Sequence, residues 1–227
     1  MKLDTLKALN AARADKKPVA LITDLESGDD RLVAWGEEKG SALADAIEAA
    51  FAVDRSTTVE IEGRDIFINI YNPPLRLIVV GAVHIAEPLA RYAAVVGYDV
   101  TIVDPRRAYH ETERFPGVTM LGDWPDDALA TLAPDHRTAV VTLTHDPKID
   151  DPALHFALKA PVFYIGCLGS KRTHAKRVER LTADGFSEAE IARIHGPVGL
   201  DIGARTPQEI ALSIMAEVVA AHRGKLS

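Results

Sequence analysis

The sequence predicts an α/β protein: a parallel sheet with helices on both faces, preceded by a small α+β domain. Three observations carry the prediction. Beyond residue 74, short apolar runs alternate with helical stretches, as in Leu77 to Val80, Val100 to Val103, Val140 to Leu143 and Val162 to Ile165. Strands covered by helices on both faces read as such continuous runs. Before residue 72 the order is instead helix, strand, helix and hairpin. Between the two patterns stands Asn72-Pro73-Pro74, where consecutive prolines cannot continue a hydrogen-bonded ladder. The expected domains are therefore residues 1–72 and 73–227.

In the first domain Leu3, Leu6 and Leu9 recur at helical spacing, and Val19-Ala20-Leu21-Ile22 suits a strand. Gly28-Asp29-Asp30 marks a turn before Leu32-Val33-Ala34-Trp35. Ser41 is placed to cap a helix with a buried stripe of Leu43, Ile47, Ala50 and Phe51. Glu62-Gly63 then joins two alternating runs, Thr57 to Ile61 and Ile66 to Tyr71, as a hairpin. None of these segments carries a catalytic motif. In the second domain a helix is expected over Ile85 to Val96. Ser187 with Glu190, and Thr206 with Glu209 ahead of Pro207, form two capping boxes. The last helix, from Pro207 to about residue 221, is expected to bury Ile210, Ile214 and Val218.

Composition narrows the function. A net charge of −7 argues against coating nucleic acid or an anionic membrane, although it leaves room for a local anion site. The single cysteine, Cys167, has no internal disulfide partner, which suits a reducing compartment. The N-terminus lacks an apolar signal-peptide core, and no apolar run matches a bilayer span. The expectation is a cytoplasmic protein with neither nucleic-acid nor membrane partners.

Ligands of open parallel sheets sit beyond the carboxyl ends of the strands, so the residues that follow each strand are the informative ones. The first such run, Gly81-Ala82-Val83-His84-Ile85-Ala86, has the register of the dinucleotide fingerprint G-x-G-x-x-G/A. Gly81 makes the tight turn and Ala86 lets the helix pack closely. The middle glycine is replaced by Val83, whose branched side chain is expected to crowd the usual pyrophosphate path. Asp104 ends the next strand at a distance suited to binding ribose hydroxyls. The turn is therefore Rossmann-like, with NAD(P) a less favoured ligand. His84 is expected in the first turn of the helix, facing the same space. His145 and Asp146 follow the Val140 to Leu143 strand; they are either an imidazole oriented by a carboxylate or a simple turn into Pro147. His110 and Glu111 carry no assigned role.

The strongest anion-binding candidate is Gly166-Cys167-Leu168-Gly169-Ser170-Lys171-Arg172. Here a strand runs through a glycine-containing loop into a helix that opens with two cations, so N–H groups and charge would meet a phosphate. Alternatively Lys171, Arg172, Lys176, Arg177 and Arg180 form a solvated basic face. The last loop, Gly196 to Arg205, is rich in glycine. Asp201 and Arg205 flank Gly203 there, as a clamp on a ligand or as partners of each other.

These runs, with Thr144-His145-Asp146, Tyr164-Ile165-Gly166 and the long His195-Gly196-Pro197-Val198-Gly199-Leu200-Asp201-Ile202-Gly203-Ala204-Arg205-Thr206-Pro207, resemble the XdhC/CoxI family. They occur in family order along about two thirds of the chain. The resemblance implies a maturation factor for molybdenum hydroxylases such as xanthine dehydrogenase. Such a factor binds the molybdenum cofactor, as molybdopterin or in a dinucleotide form, and shields it while a sulfido ligand is installed. It then helps deliver the cofactor to the apo-enzyme, with a cysteine desulfurase as the usual sulfur donor. The resemblance also implies a homodimer.

Cofactor-binding residues expected on this basis are Gly81, Ala82, Val83, His84, Asp104, His145, Asp146, Gly166, Gly169, Ser170, Lys171, Arg172, Asp201, Gly203 and Arg205. No catalytic residue and no metal ligand is assigned. The chain departs from the family in two ways. It has no cysteine before Cys167, where many members carry Gly-Gly-Cys, and it has Val83 where many have glycine. Cys167 stands at a position commonly aliphatic in the family and reads as a small buried hydrophobe. The alternative functions are an NAD(P)-dependent oxidoreductase, from Gly81, Ala86 and Asp104, and a docking protein that has lost its ligand.

Overall fold

The computed structural model describes residues 1–106 and 114–226; His110 and Glu111 lie outside them. The chain divides into two compact units, Met1–Pro73 and Pro74–Ser227.

In the first unit, helix α1 (Leu3–Ala14), strands β1 (Val19–Asp24) and β2 (Asp30–Ala34), helix α2 (Ala42–Ala52) and the hairpin β3 (Thr57–Ile61) and β4 (Arg64–Tyr71) follow in order. The strands form an antiparallel sheet in the order β2-β1-β4-β3. Ser41 accepts the Ala44 N–H and caps α2, which buries Ile47, Ala50 and Phe51 against Ile66 and Ile68. Both hairpin residues, Glu62 and Gly63, have positive φ, the geometry that matches a two-residue turn to strand twist. The α1 stripe behaves differently from its pattern: Leu9 is buried, whereas Leu3 and Leu6 are exposed.

The second unit contains β5 (Arg76–Val80), α3 (Ala86–Val96), β6 (Asp99–Val103), β7 (Thr119–Leu121), α4 (Pro125–Leu132), β8 (Thr138–Thr142), α5 (Pro147–Lys159), β9 (Tyr164–Cys167), α6 (Lys171–Ala183), α7 (Glu188–Ile191), β10 (Ile194–His195) and α8 (Pro207–His222). Its six strands are all parallel and run β10-β9-β8-β5-β6-β7. The chain winds outward from β5 in one direction, then returns to β8 on its other side. That places a topological switch point between β5 and β8.

The pleat sends alternate residues of β5 to opposite faces. Leu77 and Val79 join a cluster with α3 and α8, while Ile78 and Val80 join one with α5 and Leu181 of α6. Both capping boxes form, at Ser187 with Glu190 and at Thr206 with Glu209. On α8, Ile214 and Val218 are fully buried and Ile210 packs at the edge of the core. The sheet is thus a doubly wound α/β layer whose carboxyl edge is the place to look for a ligand. Among the described residues, no helix is long and apolar enough to cross a membrane.

Candidate functional site

Gly81 follows β5 at the switch point with φ +110°, and its N–H donates to the Val103 carbonyl at 2.8 Å. A Cβ at this position would lie 2.5 Å from Thr144 Cγ2. Only glycine therefore lets the loops after β5 and β8 close on each other. The next residue, Ala82, is pinned from both sides. Its N–H donates to Asp104 Oδ2 at 2.8 Å and its carbonyl accepts from Arg114 Nη1 at 3.3 Å.

Asp104 corrects the sequence expectation. It is fully buried, and both oxygens are engaged: Oδ1 accepts from the Arg106 backbone N–H and Nε, and Oδ2 from Ala82 and Arg106 Nη2. Burial alone would raise its pKa, but these donors together hold the carboxyl below its ordinary value. Asp104 thus braces the turn after β5, with both carboxylate oxygens already hydrogen-bonded. Val83 is partly buried and packs against the α3 side of the core, and the exposed His84 lies in the turn before α3 rather than in its first turn. NAD(H) and NADP(H) should therefore bind more weakly than about 1 mM, and Val83→Gly should not rescue binding. Calorimetric titration checks this; micromolar affinity in the unaltered protein would promote the oxidoreductase alternative.

The loop after β8 is organised by a residue that sequence reasoning misses. Asp150, on the first turn of α5, is buried; Oδ1 accepts from Thr144 Oγ1 at 2.7 Å and Oδ2 from the His145 N–H at 3.1 Å. Burial pushes its carboxyl up, against the pull of those donors and of the Arg177 charge. His145 is held at φ 61°, an uncommon conformation for a residue with a side chain, and its side chain is exposed. Asp146 does not orient it. Its Oδ1 accepts the Lys148 N–H as the N-cap of α5, so this carboxylate belongs to the turn into the helix.

Gly166 is likewise structural. It lies within β9, where a Cβ would sit 2.6 Å from Val198 and 2.8 Å from the Tyr164 ring. Cys167 is fully buried, and burial raises its thiol to about 11, so it is not poised as a nucleophile or sulfur carrier. Gly169 leads into Ser170, which accepts the Thr173 N–H and caps α6. Lys171 and Arg172 are both exposed. Arg172, but not Lys171, lines a cleft of about 370 Å³ shared with His145, Lys176, Arg177 and Arg180. The basic cluster expected at the start of α6 is thus gathered further along the helix, with Lys171 outside it.

The loop after β10 is anchored by another residue without a sequence expectation, Glu217 of α8. It accepts the Tyr164 hydroxyl and the Gly199 N–H (2.7 Å), and its Oε1 lies 3.5 Å from His195 Nδ1. The His195 ring stacks on Tyr164 with centroids 4.9 Å apart. Burial opposes ionisation of Glu217, yet His195, Tyr164 and Gly199 together keep its carboxyl below the usual range. An acid at i+3 from Ile214, within the apolar stripe of α8, is the signal that could have found it. Gly196 packs directly against His174 of α6, linking this loop to the basic helix. Beyond Gly199 the loop turns outward: Asp201, Gly203 and Arg205 are exposed or nearly so, and among the described residues Asp201 and Arg205 do not pair with each other.

A loop thus leaves the carboxyl edge of a doubly wound sheet after each strand, and those after β5, β8, β9 and β10 are tied together by Gly81–Thr144, the Leu168 N–H to Thr142 carbonyl bond, and Gly196–His174. This is the frame of a nucleotide- or cofactor-binding α/β protein. Residues 77–218 match the model of the XdhC Rossmann domain, and the chain belongs to the XdhC family. It is 36% identical over 148 residues (65% of this chain, 40% of the relative) to the molybdenum cofactor insertion chaperone PaoD of Escherichia coli. A Bacillus subtilis protein named as a probable xanthine dehydrogenase subunit is 35% identical over 156 residues, covering 68% of this chain and 45% of the relative. The uncharacterized protein YqeB of Escherichia coli is 35% identical over 154 residues, 68% of this chain and 28% of that protein. The chain therefore spans less than half the length of these relatives. A crystal structure described as a xanthine dehydrogenase from Bacillus halodurans superposes on 99% of this chain and 65% of its own, with TM-score 0.73 and 28% identity.

Proposed function

We propose that this chain binds the molybdenum cofactor and acts in its insertion into a xanthine dehydrogenase-type molybdenum hydroxylase. The observation that carries the reading is the 36% identity to a molybdenum cofactor insertion chaperone, joined to a family match at residues 77–218 that spans every strand-end loop. The cofactor is cargo here, a flat polar pterin with a phosphate tail and a metal dithiolene. Donors and acceptors available for it include Ser170, Lys171, His145, Arg172, Asp201 and Arg205, which are exposed at this edge, with Gly81 to His84 forming the turn at the switch point. Asp104, Asp146 and Gly166 support these loops from beneath. The oxidoreductase alternative loses its ribose-binding acid, since Asp104 is engaged by Ala82 and Arg106. We extend the proposal to a cytoplasmic homodimer, supplied with sulfur by a cysteine desulfurase.

The direct test is chemical. Protein purified without oxygen from a molybdopterin-producing host should release a fluorescent pterin on acid oxidation, and should carry molybdenum when the mature cofactor is bound. Protein that is free of pterin and also takes up no added cofactor would overturn the proposal.

A further inference from the structure

The cleft between the β8 loop and the flank of α6 has features that the switch-point crevice does not explain. Arg172, Lys176 and Arg180 are spaced by four on α6 and line one wall of it. Like charges at that spacing oppose helix formation, and among the described residues only Arg180 of the three is neutralised, by Asp151 at 2.6 and 2.9 Å. Behind them Arg177 is buried, with only 2% of its surface exposed. Its Nη2 donates to the Leu168 carbonyl at 3.0 Å and its Nη1 lies 3.5 Å from His174 Nδ1. Its Nε meets no acceptor among the described residues. A buried guanidinium with an orphaned donor is costly unless something else completes it.

The facing wall supplies His145, displayed by its left-handed backbone. The acid at this cleft, Asp150, is buried and already accepts from Thr144 and His145.

We propose that this cleft is an oxyanion site for a phosphate monoester or diphosphate group, gripped by the Arg172 and Lys176 side chains and completed by Arg177. Its ligand chemistry is that of a terminal phosphate. That the phosphate is the cofactor's own rests on the function proposed above, and a free phosphorylated metabolite shares the same chemistry. The site runs along the side of α6 from Arg172 in its first turn to Arg180, and Lys171 does not line it.

Calorimetry of the full chain at low salt, with inorganic phosphate and with pyrophosphate, tests the site. The unaltered protein should bind pyrophosphate saturably, and the doubly substituted Arg172→Gln/Lys176→Gln protein should bind it about tenfold or more weakly. Both residues are exposed, so the fold should persist, as circular dichroism would verify. Absence of saturable binding in the unaltered protein, or equal affinity in the folded double variant, overturns the site. Pterin retention separates the two sources. Loss of both pyrophosphate and pterin from the double variant supports the cofactor's phosphate as the ligand. Loss of pyrophosphate binding with pterin retained supports a site for a separate phosphorylated molecule. Variant-sensitive pyrophosphate binding in a protein that never carries pterin leaves the site standing and removes the chaperone reading.

Discussion

Deleting the gene for this chain is expected to leave the molybdenum hydroxylase proposed as its client at normal abundance, folded, and with most of its activity lost. The proposed defect lies in cofactor loading, so the client polypeptide should be made and should retain its other bound groups. Molybdenum and pterin content of the purified client should fall in parallel with activity. Re-expression of the unaltered chain should restore all three, and the Arg172→Gln/Lys176→Gln chain should restore them poorly. Normal client activity in the deletion strain, together with a stable complex between this chain and a partner protein, would favour the docking protein over the chaperone. The comparison is between metal content and polypeptide level, which a general loss of fitness would not uncouple.

Glu217→Ala is expected to be the most destabilising single change near the site. It leaves the Tyr164 hydroxyl and the Gly199 N–H without their shared acceptor. At about 1–3 kcal/mol for each of the two orphaned groups, the total is about 2–6 kcal/mol, or a fall in melting temperature of about 4–24 °C for a domain of this size. Glu217→Gln keeps one acceptor oxygen and should cost less.

The same residue sets a pH dependence. Its folded pKa is depressed from an ordinary 4.5, as that of Asp104 is from 3.8. Their stabilising contributions are therefore complete above those values and are lost as the pH falls through the depressed ones. Asp150 has the opposite sign: its pKa is raised from 3.8, so its contribution is full below that value and declines as the pH rises through the shifted one. Urea denaturation between about pH 3 and pH 7 should show stability falling on the acid side, with a shallower fall in Glu217→Gln and Asp104→Asn. A Glu217→Ala protein within about 0.5 kcal/mol of the parent, or an unchanged acid limb in both variants, would show that these carboxylates are not the struts described.

Much of this architecture was legible along the chain because it depends on near neighbours. The continuous runs at β5, β6 and β8, the caps at Ser41, Ser187 and Thr206, and the Glu62-Gly63 hairpin each follow from residues a few positions apart. So does the fold class, since apolar runs alternating with helices leave few ways to bury both faces of a sheet. The short strands β7 and β10, of three and two residues, were not legible, because so few residues carry no periodic signal.

At the site the division is sharper. Sequence determined which loops matter, because ligand loops follow strand ends and the family motifs lie there. Only the tertiary structure decided which of their side chains face outward. Asp104 reads as a ligand from its spacing, but it is consumed by Ala82, 22 residues away, and by its neighbour Arg106. Tyr164 meets Glu217 across 53 residues, and Arg177 becomes a buried cation only when the β9 loop folds over α6. A polar group taken from water must find its partner wherever the packed chain brings one. Those partners are set by the topology of the sheet, and no local pattern records them.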